Sequence, residues 1–328
     1  MVKRGHWLAV LAVIAVAVGA ALYLAFRPDE VGSSIEVVLD FFPNPNHVPL
    51  YAAEESGTFA ACGIDVEILV PANPSDPVRL AAARTVDVAL TPQTNYLMAR
   101  AEGLPLVAIG ALIDSTLGGL LALGKGGHVV SPADLAGARI GYALEPLEPV
   151  LWTTMLECAD VDPASVDLIN VGYNTVVALV TDQVDAIGAF RNYERIQVDL
   201  MGLDAVFFPQ EAYCVPTTYD IVLVAHPDTV ADRSDELGRF LQALSEAVAA
   251  TVADPETAYG QFLLVNPDCD DELSRAAFDA TIDLFAHGVR HDDPGVWEAM
   301  QEYLAEEGLA DGSIPVTDLY TTKLLPNE

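Results

Sequence analysis

Lysine is nearly missing from this 328-residue chain, occurring only at Lys3, Lys125 and Lys323. Lys plus Arg total 15 against 48 Asp plus Glu, a formal net charge of −33. Phosphate backbones are held by basic faces, so nucleic acid is excluded as a partner. The poverty of apolar residues that marks disordered chains is absent, since 52% of residues are apolar and 8% aromatic. There is no G-x-S-x-G elbow, no Walker A loop and no G-x-G-x-x-G after a strand. Gly124-Lys125-Gly126-Gly127 is glycine-rich but lacks the phosphate-loop spacing and leads into no helix. His287 and His291 stand four apart, yet Gly288 interrupts them and no third ligand is evident. A structural metal needs three or four ligands, so no metal is expected there. No nucleophile–base pair stands out, and the chain reads as a non-enzyme without cofactor.

The acidity is read as an adaptation to salty surroundings. A self-repelling surface loses stability at low ionic strength, and salt screens the repulsion. Only four cysteines occur, Cys62, Cys158, Cys214 and Cys269, with no C-x-x-C pair. In an exported protein they allow three full pairings, and as small buried apolar residues they need none.

One long apolar run is present. Trp7 to Phe26 is 20 residues without a charge, preceded by Lys3 and Arg4. At ~1.5 Å per residue it matches a hydrocarbon core of roughly 30 Å. The basic flank keeps that end in the cytoplasm, which makes the remainder extracytoplasmic. A cleavable signal peptide is the alternative reading, with Val18-Gly19-Ala20 as its small-residue site. No cysteine follows the run to take a lipid.

Beyond this segment, strand-like and helix-like stretches alternate. Ile35–Leu39, Ile64–Val70 and Val86–Leu90 read as strands separated by helices at 47–57 and 77–84. The same order restarts with strands at 140–142, 166–171 and 184–189 and helices at 149–159 and 175–181. Arg-Thr-Val-Asp-Val-Ala-Leu (84–90) resembles Asp-Gln-Val-Asp-Ala-Ile (182–187), their aspartates 98 positions apart. A repeat of β-α-β-α-β predicts an α/β chain of two like lobes. Leu112–Leu123 and Pro216–Val224 are the two crossings of a hinge. The division follows: 1–30 as anchor or signal segment, 31–120 as the first part of lobe one, 121–215 as lobe two, and 216–328 as the rest of lobe one. Amphipathic helices at 232–253, 254–262, 270–288 and 294–307 are expected to pack on lobe one.

In open α/β sheets ligands sit beyond the carboxyl ends of the strands. Leu-Asp-Phe-Phe-Pro-Asn-Pro-Asn-His (39–47) lies there, with two aromatics, a carboxylate, two amides and an imidazole. Its prolines stiffen it, which lowers the ordering cost of binding. The alternative is a helix-entry loop with Asn46 as N-cap and both phenylalanines buried. Pro92–Tyr96, Tyr142 with Glu145, Phe190–Glu194 and Tyr213–Asp220 occupy matching positions. Together they predict a cleft rich in rings and amides, with some carboxylates and Arg191 as the one cation in these loops. Stacking rings suit a flat heteroaromatic, and a carboxylate with an amide grips an amidine-like edge. An anionic ligand would call for Arg, Lys or helix amides.

The residues at 39–47, with Pro-Ala-Asn-Pro-Ser-Asp (71–76), Val-Asp-Val-Ala-Leu (86–90) and Val-Pro-Thr-Thr-Tyr-Asp-Ile-Val-Leu-Val (215–224), resemble the ThiY-type receptors of ABC importers. That group binds pyrimidine precursors of thiamine and is related to the yeast pyrimidine-precursor synthase. The resemblance runs from about Ile35 to Asn327 and implies a two-lobe periplasmic-binding-protein fold of type II, an aminopyrimidine ligand and ABC permease partners. On this reading Phe41 or Phe42 and Tyr193 stack on the ring, while Asp40 and Glu194 pair with its amine and nitrogen. Asn44, His47 and Asn95 orient the substituent, Tyr142 and Tyr219 close the cleft, and Glu145 and Phe190 complete the candidates. The synthase joins pyridoxal phosphate to a lysine and consumes a histidine after the strand matching 86–90, where this chain has Thr91-Pro92-Gln93-Thr94-Asn95. Its cysteine run is reduced to Cys214, and its Gly-Glu-Phe-Gly phosphate loop to Ala143-Leu144-Glu145-Pro146. Alternatives of the same class are riboflavin, another heterocycle, or a small sulfonate or nitrate; the synthase is the alternative of another class.

Overall fold

Alternation of apolar and polar side chains shapes the first strands. In β1 (Ser33–Val38), Ile35, Val37 and Val38 are buried. In β2 (Ile64–Leu69), Ile64 and Val66 are buried while Asp65 and Glu67 face solvent, as befits the edge of a sheet. The computed structural model describes residues 33–326 apart from 74, 125–127 and 173. The apolar run Trp7–Phe26 lies outside the described residues, among which no helix is long and apolar enough to cross a membrane.

The remaining strands are β3 (Val88–Thr91), β4 (Val107–Ile113), β5 (Gly118–Leu123), β6 (Arg139–Tyr142), β7 (Asp167–Asn170), β8 (Ala186–Phe190), β9 (Ala205–Pro209) and β10 (Ile221–Ala225). They form two five-stranded sheets, ordered β2-β1-β3-β10-β4 and β7-β6-β8-β5-β9. The two orders are the same pattern. In each, four strands run in one direction, and a fifth, β10 or β5, runs against them and enters directly from a crossing. The chain thus has the two-lobe α/β architecture expected from its repeat. It changes sheet between Ile113 and Gly118 and again between Pro209 and Ile221. The division at 120/121 falls inside β5, and that at 215/216 inside the return segment.

The repeated aspartates have a structural task. Asp87 Oδ2 accepts from the Glu36 N–H at 3.0 Å, and the Asp87 N–H donates to the Glu36 carbonyl at 3.0 Å. Asp185 does the same with Arg139, at 3.0 and 2.8 Å. Each lobe therefore pins its central strand to its neighbour with a side chain as well as the ladder.

Helix Ser234–Ala253 buries Leu237, Phe240, Leu241, Leu244 and Val248 along one stripe, against helix Val48–Glu55 and the first sheet. Each such side chain contributes roughly 1.5–3 kcal/mol of burial. Other C-terminal elements also reach lobe two. Helix Glu272–Thr281 touches helix Glu194–Leu200, and Tyr303 Oη on helix Pro294–Glu306 meets Thr154 Oγ1 at 2.8 Å. The expected helix over 270–288 is shorter. It ends at Thr281 because the chain then pairs Phe285 with Ile113, and Gly288 takes a positive φ of 66°. Cys158 and Cys214 form a disulfide, while Cys62 and Cys269 are free.

Candidate functional site

The segment after β1 is built around Asn44, which caps the turn Pro45–His47 by accepting the Asn46 N–H at 2.9 Å. Asn44, not Asn46, is therefore the cap. The Asn44 N–H donates to His47 Nδ1 at 3.3 Å, so the ring proton sits on Nε2, 2.8 Å from Asp40 Oδ1. His47 is wholly buried behind the cleft wall and orients Asp40. It does not line the cavity, which corrects its expected place beside a ligand. Phe41 and Phe42 are 36% and 61% exposed, with rings edge to face at 5.2 Å. The alternative with buried phenylalanines is thereby excluded.

A cavity of about 370 Å³ lies between the lobes, within the range of small-molecule sites. From lobe one and the return segment it is lined by Asp40, Phe41, Phe42, Asn44, Asn95 and Tyr219. From lobe two Phe190, Tyr193 and Glu194 line it. Nine of the twelve sequence-predicted residues thus share one hollow. Tyr142 and Glu145 do not line it; the Tyr142 hydroxyl donates to Glu145 Oε1 at 2.5 Å, and the two satisfy each other.

Tyr219 is held by its neighbours. Its backbone N–H donates to Gln93 Oε1 at 2.9 Å, and its hydroxyl accepts the Asp293 N–H at 3.0 Å. Burial pushes its phenol up to about 12. The crossings are stitched together beside it, since the Thr218 N–H donates to Thr116 Oγ1 at 3.0 Å and the Leu117 N–H to Asp220 Oδ2 at 2.5 Å.

Beyond the named candidates, Glu148 and Trp152 line the hollow, as does Asp220 at the end of the Tyr213–Asp220 loop. Asp220 is buried, and that burial raises its carboxyl from the usual 3.8 to about 7. The charge of Asp40 adds to the rise, while the Leu117 amide opposes it. Burial also raises Glu148 and Glu194, against amides that stabilise their charge. Glu148 Oε2 accepts from Ala143 and Leu144, and Glu194 Oε2 from the Phe190 N–H at 2.8 Å. Glu148 and Trp152 are a helical turn apart on helix Leu147–Cys158, which begins two residues before its expected start. That missed first turn hid Glu148, whereas Trp152 lay within the expected helix.

No Lys, Arg or His lines the cavity among the described residues. Arg191 is turned away, paired with Glu211 at 2.5 Å and set over the Phe207 ring at 5.7 Å. The hollow therefore offers rings, amides and four carboxylates. It can stack on a flat ring and accept hydrogen bonds from ring substituents, and it has no cation for an acidic group.

Residues 44–258 match the family described as NMT1/THI5 like. The chain is 35% identical over 284 residues to a protein of Haemophilus influenzae named for thiamine biosynthesis, covering 86% of this chain and 90% of that one. It is 34% identical to a formylaminopyrimidine-binding protein of Halalkalibacterium halodurans, covering 73% and 72%. At 26% identity, covering 90% and 93%, it also matches a 4-amino-5-hydroxymethyl-2-methylpyrimidine phosphate synthase of Legionella pneumophila. Among solved structures, the periplasmic aliphatic sulphonate binding protein of Escherichia coli superimposes with a TM-score of 0.70 at 13% identity, over 88% of this chain and 97% of that one. That likeness shows the fold, a periplasmic-binding-protein fold.

Proposed function

This chain belongs to the NMT1/THI5-like family, and from that premise we propose that it is the extracytoplasmic solute-binding protein of an ABC importer, taking a thiamine-related aminopyrimidine. One observation carries the reading: an interlobe hollow walled by aromatic rings and four carboxylates, with no basic side chain among its described lining residues. A pyrimidine amidine edge presents an amine donor to such carboxylates, and its face stacks on such rings. The relative that binds formylaminopyrimidine supports the same ligand class.

Phe41 or Phe42 and Tyr193 sandwich the ring, and Asp40 and Glu194 take its amine and nitrogen. Asn44 and Asn95 orient the substituent, while Phe190 and Tyr219 close the hollow. Contacts from both lobes stabilise the closed arrangement, which is the form an ABC permease would recognise. Trp7–Phe26 serves as the tether or export signal.

The family also holds synthases. Against that role here, Thr91-Pro92-Gln93-Thr94-Asn95 carries neither the lysine nor the histidine such chemistry uses at this point. Binding without catalysis is the reading it supports.

Mass spectrometry of the small molecule released from purified protein tests the proposal, followed by calorimetry with an aminopyrimidine, riboflavin and taurine. An aminopyrimidine is expected in both. Binding of taurine or riboflavin alone overturns it.

A further inference from the structure

Lobe two presents to the hollow a turn that by its backbone would attract an anion. After β6 the chain passes through Ala143 and Leu144 into the 12-residue helix Leu147–Cys158. Free amides at such a position, together with the helix dipole, favour negative charge. Here the amides are already engaged by the chain's own carboxylate. Glu148 Oε2 accepts from Ala143 at 2.6 Å and from Leu144 at 3.2 Å, and all three residues line the hollow. Glu194 lies close enough to act on Glu148 by charge repulsion.

A second observation shows what the turn receives instead. Trp152 is 2% exposed, lines the hollow, and its indole Nε1–H has no hydrogen-bond partner. A buried donor of this kind calls for an acceptor. Gly188 makes room for the pair, since a Cβ there would stand 2.6 Å from Trp152 Cζ2 and 3.3 Å from Glu148 Oε2. The subsite is one built-in anion beside one unpaired donor.

We propose that Glu148 is a specificity-determining residue that shuts phosphate esters and sulfonates out of the hollow, while Trp152 donates to a neutral oxygen or nitrogen on the ligand's substituent. The ligand is then the unphosphorylated pyrimidine. Its identity rests on the function proposed above; the rejection of anions does not.

The test uses 4-amino-5-hydroxymethyl-2-methylpyrimidine, its phosphate ester and inorganic phosphate, with native protein, Glu148→Gln and Glu148→Ala. A like charge brought against a buried carboxylate costs several kcal/mol, so calorimetry should show native protein preferring the alcohol by about 100-fold or more. Both variants should cut that ratio to about tenfold or less, because the repelling charge is gone. Inorganic phosphate should raise the melting temperature of Glu148→Ala more than that of native protein. Equal native affinity for alcohol and ester overturns the proposal, as does undiminished discrimination in folded Glu148→Gln. If native protein binds neither pyrimidine, the proposed function fails. The phosphate comparison still decides the exclusion of anions, and equal melting shifts then overturn it.

Discussion

Asn192 of lobe two donates through Nδ2 to Asn46 Oδ1 of lobe one at 2.8 Å. The same nitrogen reaches Thr281 Oγ1, also of lobe one, at 2.9 Å, and Asn192 is 3% exposed. The bonds tie the loop after β8 to the segment that carries Phe41 and Phe42. They hold the lobes together at the hollow's edge.

Asn192→Ala should therefore favour the open form. Two hydrogen bonds at roughly 0.5–1.5 kcal/mol each imply ligand affinity about tenfold weaker. Small-angle scattering should show a larger radius of gyration than for native protein. Unchanged dimensions and affinity would count against a latch.

Phe42 separates binding from folding. At 61% exposure it contributes little to the core, so Phe42→Ala should move the melting temperature very little. Loss of a stacking face is expected to cost about 1 kcal/mol or more of binding. Calorimetry and thermal melts on the same sample read both, and a large drop in stability would contradict the placement.

Asp220 makes stability depend on pH in a set direction. Its carboxyl titrates near 7 when folded against the usual 3.8, so between those values the folded state holds more protons. Stability must then fall as pH rises through that window. Asp220→Asn removes this loss, and its stability relative to native protein should climb from about pH 4 to 7 and level off above. Chemical denaturation across pH 4–8 checks the slope; a flat difference means Asp220 is ionised throughout.

The disulfide Cys158–Cys214 closes a loop with a sequence separation of 56. Chain entropy assigns such a loop about 4 kcal/mol as an upper figure. Calorimetric scans with and without reductant, or of Cys158→Ser, should show a clear drop in melting temperature. No drop would mean that the unfolded chain gains no freedom from the cut.

Salt should matter as well. With a net charge of −33, the melting temperature is expected to rise steeply from low to molar salt as repulsion is screened. A flat profile would refute the adaptation read from the composition.

The repeat was legible because its aspartates sit in the hydrogen-bonding register of both lobes, and a strand tolerates few substitutes for that task. The aromatic loop was legible because Phe41 and Phe42 follow a buried strand with prolines that prevent a helix. His47 misled, since an imidazole reads the same whether it faces a ligand or braces Asp40 from behind. Tyr142 and Glu145 misled similarly, because sequence does not show that they bond each other. Glu148 was hidden by a helix start set two residues late; Asp220 lay within an expected cleft loop, but its depth depends on both lobes at once and could not be read.

The staple at Cys158 sits at the far end of the helix that bears Glu148 and Trp152, and its other half belongs to the return segment. That helix is therefore fastened covalently to the pivot. Any swing at the return segment must carry the two side chains with it, so the same motion that parts the lobes also withdraws the groups that screen what may enter.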